Sequence, residues 1–132
     1  MGGTYNVTAV TPADYRRLAE KRLPRFLFDY IDGGANAETT LAANVDGFRN
    51  IVLRQRVMRD VAEIDTSTFL AGEKSAMPVV LAPVGMAGMM ARRGETLAVR
   101  AANEIGVPFT LSTVGICDLA EVKSAASKPF WF

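Results

Sequence analysis

The sequence predicts an α/β chain that opens a (β/α)8 barrel, the TIM-barrel architecture, preceded by helices and cut near its third barrel strand. Three observations predict it. Pro78-Val79-Val80-Leu81-Ala82-Pro83 is apolar throughout instead of alternating, the pattern of a parallel strand covered on both faces. Phe109-Thr110-Leu111-Ser112 follows after one helical stretch, at roughly the 30 residues of a β-α-β unit. The last residues, Phe130-Trp131-Phe132, read as the start of a third strand. Two and a half units do not close a barrel, which takes eight strands. An open doubly wound sheet is the alternative, because its strands and crossovers carry the same pattern.

Residues 1–10 are expected to be a flexible lead, residues 11–77 helices and short strands, and residues 78–132 the first β-α units of one incomplete domain. Thr11 caps the first helix, with Pro12 at its first position and Asp14 near its free amides. That helix runs to about Leu23. Pro24 starts a second, in which Phe26, Leu27, Tyr30 and Ile31 recur at helical spacing. Asp32-Gly33-Gly34 ends it, glycine being the residue that takes a left-handed helix terminus. Asn36 is the expected cap of a third helix carrying Leu41, Val45 and Phe48. Ile51-Val52-Leu53 and the stretch from Ile64 to Leu70 read as short strands, and Ala71-Gly72-Glu73-Lys74 as a turn. The crossover helix, Glu95 to Ile105, puts Leu97, Ala98, Ala101, Ala102 and Ile105 on one stripe, and Gly106 closes it. Asp118 caps the next helix, with Leu119, Val122 and Ala126 inward.

Composition sets outer limits. The chain has 132 residues, 49% of them hydrophobic and 22% charged, which is a globular balance. A net charge of +1 gives no basis for a nucleic-acid partner. The basic clusters Arg54-Arg56-Arg59 and Arg92-Arg93 are short and read as solvated faces. Cys117 is the single cysteine, so neither an intrachain disulfide nor a cysteine-built metal site forms, and its expected state is a buried thiol. Asp60, Glu63 and Asp65 cluster at strand-like spacing and need not converge on a metal. No apolar stretch reaches 18 residues, and the first residues lack the basic and apolar segments of a signal peptide.

In parallel α/β folds ligands gather at the C-terminal ends of the strands. Those positions are Pro83-Val84-Gly85 and Ser112-Thr113-Val114. Glycines at 85 and 88 let backbone approach a flat ligand, and Ser112 offers a hydroxyl. Ordinary turn chemistry explains the same residues. Gly85-Met86-Ala87-Gly88 lacks the G-x-G-x-x-G spacing of a dinucleotide loop, and no phosphate-binding GxxxxGK[ST] run is present. Met86, Met89 and Met90 suit either a pocket wall or core filling. Tyr30 precedes the glycine stop and either points its phenol into a cleft or satisfies a local hydrogen bond.

Taken together, Leu23-Pro24, Phe28-Asp29-Tyr30, Gly33-Gly34-Ala35, Leu41, Asn44, Arg54-Gln55-Arg56, Ser75-Ala76-Met77-Pro78, Ala82-Pro83-Val84-Gly85, Gly94-Glu95, Leu111-Ser112-Thr113 and Trp131-Phe132 resemble the FMN-dependent α-hydroxy-acid dehydrogenase and oxidase family. Ala82 to Gly85, with Gly88-Met89 and Ala91 to Glu95, is similar to the bacterial respiratory branch that acts on L-lactate. Two positions depart from the family pattern: Gln55, where proline is usual, and Asp32-Gly33.

The resemblance implies a barrel that binds FMN and oxidises the 2-hydroxyl of a small acid, L-lactate to pyruvate. Mandelate and glycolate are the alternatives within the family, and a noncatalytic fragment is the alternative outside it. Tyr30 is implied in binding the substrate carboxylate, Pro83, Val84 and Gly85 in lying against the flavin, and Ser112 in bonding its polar edge. Met86, Ala87 and Val114 are implied near the substrate side chain. The family's base is a histidine, and this sequence has none. No catalytic residue is therefore assigned here; the base, the carboxylate-binding arginines, the flavin-facing lysine and the phosphate segment are expected beyond Phe132. These residues alone are expected to be inactive. A quinone-type respiratory acceptor, and a cytoplasmic or peripheral inner-membrane location, follow from the same resemblance, which is also compatible with a homo-oligomer.

Overall fold

The computed structural model describes residues 9–132, so most of the expected flexible lead, residues 1–8, lies outside the described residues. The chain divides into two units, one ending at Gln55 and one spanning Arg56–Phe132. In the first unit, α1 (Pro12–Arg22) begins as its sequence dictates. The Thr11 hydroxyl accepts the Asp14 N–H at 3.3 Å, and the Asp14 carboxylate accepts the Thr11 N–H at 2.9 Å. This reciprocal pair satisfies two amides that the first helical turn leaves free. Helix α2 (Arg25–Asp32) follows Pro24 and buries Leu27 and Phe28. Arg16 of α1 holds it with a fork, Nε to Asp32 Oδ1 at 2.5 Å and Nη2 to Oδ2 at 2.7 Å, and its guanidinium lies 5.5 Å from the centre of the Phe28 ring.

Two expectations about the next turn are corrected. Gly33 ends α2 in an extended conformation, φ −79°, not a left-handed one. Its glycine is required for closeness: a Cβ there would sit 2.8 Å from the Asp29 carbonyl oxygen. Asn36 does take a left-handed φ of 51°, but it is not the cap of α3 (Thr39–Gly47). Glu38 occupies the cap position, and its carboxylate reaches back to accept the Gly34 N–H at 3.0 Å, which moves the helix start to Thr39. A 3-10 turn, Phe48–Asn50, follows. Ile51, Val52 and Leu53 form no strand and are exposed, because no segment among the described residues pairs with them.

In the second unit, β1 (Thr68–Leu70) and β2 (Glu73–Ser75) form an antiparallel hairpin in the register Thr68–Ser75, Phe69–Lys74 and Leu70–Glu73. Ala71 and Gly72 both have positive φ, 48° and 85°, the two-residue turn that matches strand twist. The expected parallel strands then appear as paired segments. Leu81 pairs with Phe109 and Thr110 with Trp131, both parallel. The Leu81 N–H donates to the Pro108 carbonyl and the Thr110 N–H to the Leu81 carbonyl, each at 3.0 Å. The Leu111 and Trp131 amides extend the ladder at 2.9 Å to the Trp131 and Phe109 carbonyls. The order 81–109–131 is that of two consecutive β-α-β crossovers.

A short helix, α4 (Ala87–Met90), precedes the crossover helix α5 (Gly94–Ile105), which Gly106 closes at φ 83°. Helix α6 (Leu119–Ala125) is the second crossover, with the Asp118 carboxylate accepting the Glu121 N–H at 2.7 Å. The core lies between these helices and the paired segments: Val99 and Ala102 of α5 and Val122 of α6 pack with Val107, Phe109 and Leu111. Phe130 meets Phe109 edge-on, 6.0 Å between centres. The stripe expected on α5 is rotated. Glu95, Val99 and Ala102 face inward, while Leu97, Ala101 and Ile105 are exposed. Leu119 also faces out, leaving Val122 as the buried residue of α6. Val99 has no exposed surface. Val99→Ala should therefore lower unfolding free energy by about 1.5–3 kcal/mol, read from a lower urea midpoint at unchanged slope. Leu97→Ala on the outward face should change it by less than about 0.5 kcal/mol.

Candidate functional site

The parallel pairing of Leu81 with Phe109 brings the segments that follow them side by side. The first is Pro83-Val84-Gly85, leading through Met86 (φ 53°) into α4. The second begins at Ser112. One backbone bond joins them directly, the Met86 N–H donating to the Val114 carbonyl at 2.9 Å. Among the described residues the amides of Val84 and Gly85 meet no acceptor. Ser112 turns the second loop: its hydroxyl accepts the Val114 N–H at 3.2 Å and its carbonyl accepts the Gly115 N–H at 3.0 Å. The hydroxyl keeps its own hydrogen to donate.

Glu95, in the first turn of α5, lies beneath both loops and is 2% exposed. Its Oε1 accepts the Gly88 N–H at 3.0 Å and the Ile116 N–H at 2.8 Å. Burial by itself would raise this carboxyl, but the amides of Ile116, Glu95 itself and Gly88 together outweigh burial and hold it below the usual carboxylate range. Glu95 is thus an anion in the protein interior, solvated by backbone. Cys117 is buried, as its sequence context predicts. Burial pushes its thiol up, and the adjacent Glu95 carboxylate adds to the effect, so it is a poor nucleophile.

Of the residues singled out from sequence, the structure brings Val84 and Ser112 to one cavity of about 310 Å³. Ala87, Glu95, Ala98 and Phe109 share its wall, which is mostly apolar with a few polar atoms, the usual make-up of a small-molecule site. Pro83 is exposed and Gly85 half-buried on either side of Val84. Val114 is 59% exposed and lies off the cavity wall, contributing its carbonyl to the loop bond instead. Tyr30 belongs to the other unit, on α2, with 54% of its surface exposed. Among the described residues no group of three His, Cys, Asp or Glu could hold a metal. None of their helices is long and apolar enough to cross a membrane.

In the sequence Glu95 stands only as a helix start and as half of the Gly94-Glu95 pair. A glutamate in a first turn is ordinary dipole chemistry, and its burial arises only when two loops fold over it. The available signal was the glycines at 88, 94 and 115. A Cβ on Gly88 would lie 2.9 Å from Glu95 Oε2 and 2.8 Å from Ile116 Cβ, and one on Gly94 would lie 2.5 Å from the Ala87 carbonyl oxygen. One on Gly115 would lie 3.2 Å from the Ser112 carbonyl oxygen.

Comparison with known proteins adds the family. A model described as FMN-dependent dehydrogenase matches residues 19–132. The chain is 60% identical over 119 residues to an L-lactate dehydrogenase of Caulobacter vibrioides, covering 90% of this chain and 31% of that protein. It is 58% identical over 120 residues to one from Haemophilus influenzae strain Rd, covering 91% and 32%. Among solved structures, a soluble mutant of the membrane-associated (S)-mandelate dehydrogenase from Pseudomonas putida superposes with a TM-score of 0.86 at 32% identity, over 91% of this chain and 34% of that one. A mandelate oxidase gives 0.86 at 31% identity, over 94% and 36%. This likeness bears out the expected α/β barrel class. The chain spans about 31% of the length of the curated relatives it matches.

The buried carboxylate has a pH signature. Its folded pKa lies below its unfolded value, so the stability it contributes is present above about pH 4.3, the ordinary glutamate value, and is lost as pH falls through the folded pKa. Asp14, Asp32 and Asp65 are lowered as well, so acid weakens the protein for several reasons. The difference between the protein and its Glu95→Gln variant isolates Glu95. That difference in urea stability should shrink as pH is lowered from about 6 to 3; a constant difference contradicts the charged state.

Proposed function

The chain belongs to the FMN-dependent dehydrogenase family, and from that premise we propose that a protein carrying it oxidises L-lactate to pyruvate. The observation that carries the substrate is the 60% identity to an L-lactate dehydrogenase over 90% of this chain, against 32% to a mandelate enzyme. FMN, when bound, supplies the two-electron sink that the oxidation of an alcohol to a ketone requires. The residues present fit such a group. The free amides of Val84 and Gly85 and the Ser112 hydroxyl are donors at the ends of paired strands, beside an apolar cavity.

In this reading Pro83, Val84 and Gly85 present backbone to the flat cofactor, and Ser112 donates its hydroxyl hydrogen to the cofactor's polar edge. The apolar wall formed by Val84, Ala87 and Phe109 excludes water, which strengthens every polar contact made there. Tyr30 donates to the substrate carboxylate and Val114 limits the size of the substrate side chain; for these two the support is the family resemblance. The sequence holds no histidine, and the proton-abstracting base is assigned outside these residues. A mandelate enzyme among the structural relatives is membrane-associated. Together with the respiratory branch that the Ala82–Glu95 run resembles, this supports a peripheral membrane location and a quinone-type acceptor.

Anaerobic mixing of the full-length protein with each acid, followed by visible flavin absorbance, tests the proposal. L-lactate should reduce the flavin with a kcat/KM at least about tenfold above that of (S)-mandelate, about 1.4 kcal/mol of transition-state preference; the reverse order overturns the substrate. Tyr30→Phe should lose one charge-assisted hydrogen bond of about 1.5–3 kcal/mol, lowering kcat/KM roughly 10- to 150-fold. FMN content should not change. Unchanged kinetics would remove Tyr30 from the substrate site.

A further inference from the structure

We propose that Glu95 is a positioning residue that sets the spacing between the two flavin-facing loops, resting on the reading that Pro83–Gly85 and Ser112 receive FMN. A single carboxylate oxygen accepts the Gly88 amide of α4, the helix that the first loop leads into, at 3.0 Å and the Ile116 amide of the second loop at 2.8 Å. These donors stand 28 residues apart in sequence and are joined through one buried atom. Among the described residues the loops otherwise share one backbone bond, from the Met86 N–H to the Val114 carbonyl. Glu95 therefore fixes where the backbone around Val84 stands relative to Ser112, and all three line the same cavity.

The arrangement is built for a carboxylate and not for a filler side chain. Gly88 and Gly94 stand where any Cβ would strike the carboxylate, Ile116 or the Ala87 carbonyl. Glu95 Oε2 is buried and meets no nitrogen or oxygen donor among the described residues, and the Cys117 thiol is the side-chain donor that faces the carboxylate. A carboxylate so buried is unfavourable, and the two backbone donors at Oε1, with the thiol, offset that cost. The charged and titratable groups facing Glu95 are the Cys117 thiol and, through it, Glu121, which Arg93 pairs at 3.1 Å. No cation competes with the two amides for Oε1 among these groups, so the carboxylate is held for its backbone bonds.

The test compares the full-length protein with Glu95→Ala, Glu95→Gln and Gly88→Ala. Glutamine keeps a carbonyl oxygen that can accept both amides, whereas alanine keeps none. Glu95→Ala should speed hydrogen exchange at both the Gly88 and Ile116 amides and weaken FMN binding by about tenfold or more, the loss expected from charge-assisted bonds of this kind. It should also shift the visible flavin spectrum. Glu95→Gln should stay within about threefold of the unsubstituted protein, since a neutral bond retains part of the energy. Gly88→Ala, whose methyl group would meet both Ile116 Cβ at 2.8 Å and Glu95 Oε2 at 2.9 Å, should also loosen both amides, and it is the second variant if Glu95→Ala does not fold. Exchange that rises at one amide only, or at neither, overturns the shared tie. Exchange that rises at both while FMN affinity and spectrum stay unchanged overturns the positioning role. Failure of the unsubstituted protein to bind FMN is seen before any variant is made, and it would overturn the flavin reading while the exchange arm still decides the tie.

Discussion

Parallel pairing of three short segments, at Leu81, Phe109–Thr110 and Trp131, is the constraint on which residues 56–132 depend. Parallel neighbours cannot be joined by a tight turn, so each pairing commits the chain to a crossover. Helices α5 and α6 are those crossovers. Because both return on the same side, Val99, Ala102 and Val122 bury against Phe109 and Leu111 in one cluster. The pairing also aligns the strand ends, so that two loops with no sequence relation emerge side by side. The site is a consequence of the ladder and not of any local motif.

Glu95 shows what that alignment needs in addition. Strand pairing fixes where the loops begin, and beyond it one backbone bond, Met86 N–H to the Val114 carbonyl, joins them. A buried anion with two amide donors adds a second tie at the expense of desolvating a charge, and the backbone amides together with the Cys117 thiol outweigh the burial. Hydrophobic residues of the same size would fill the space and would not direct two backbones to one point. The neighbouring glycines follow from this choice. Their lack of a Cβ makes room for a carboxylate that must sit within bonding distance of main chain.

Much of this was legible in the sequence where a local rule decides the outcome. Thr11 with Pro12 and Asp14, Asp118, and Gly106 marked helix ends that the structure keeps, because caps depend on residues within one turn. The apolar run at 78–82, and Phe109 to Ser112 one crossover helix later, mark the parallel segments. Failures came where the outcome depends on a distant partner. Ile51-Val52-Leu53 has strand composition and nothing to pair with among the described residues. The α5 stripe was drawn through apolar residues only, and it missed by a rotation because the innermost position of the first turn is a glutamate. Gly33 was read for its torsion when its role is closeness to the Asp29 carbonyl. For the candidate site, strand ends and resemblance point to Val84 and Ser112, which line one cavity, whereas Glu95, bonded to both Gly88 and Ile116, carries no pattern of its own.

A crystal structure of the full-length protein with FMN would show directly whether these two loops receive the flavin. The flavin ring should lie against the backbone of Pro83–Gly85, with Ser112 Oγ within about 2.5–3.2 Å of its polar edge, and with Glu95 Oε1 still bonded to Gly88 and Ile116. A flavin seated away from these two loops, or a Glu95 released from either amide in the bound protein, would contradict it.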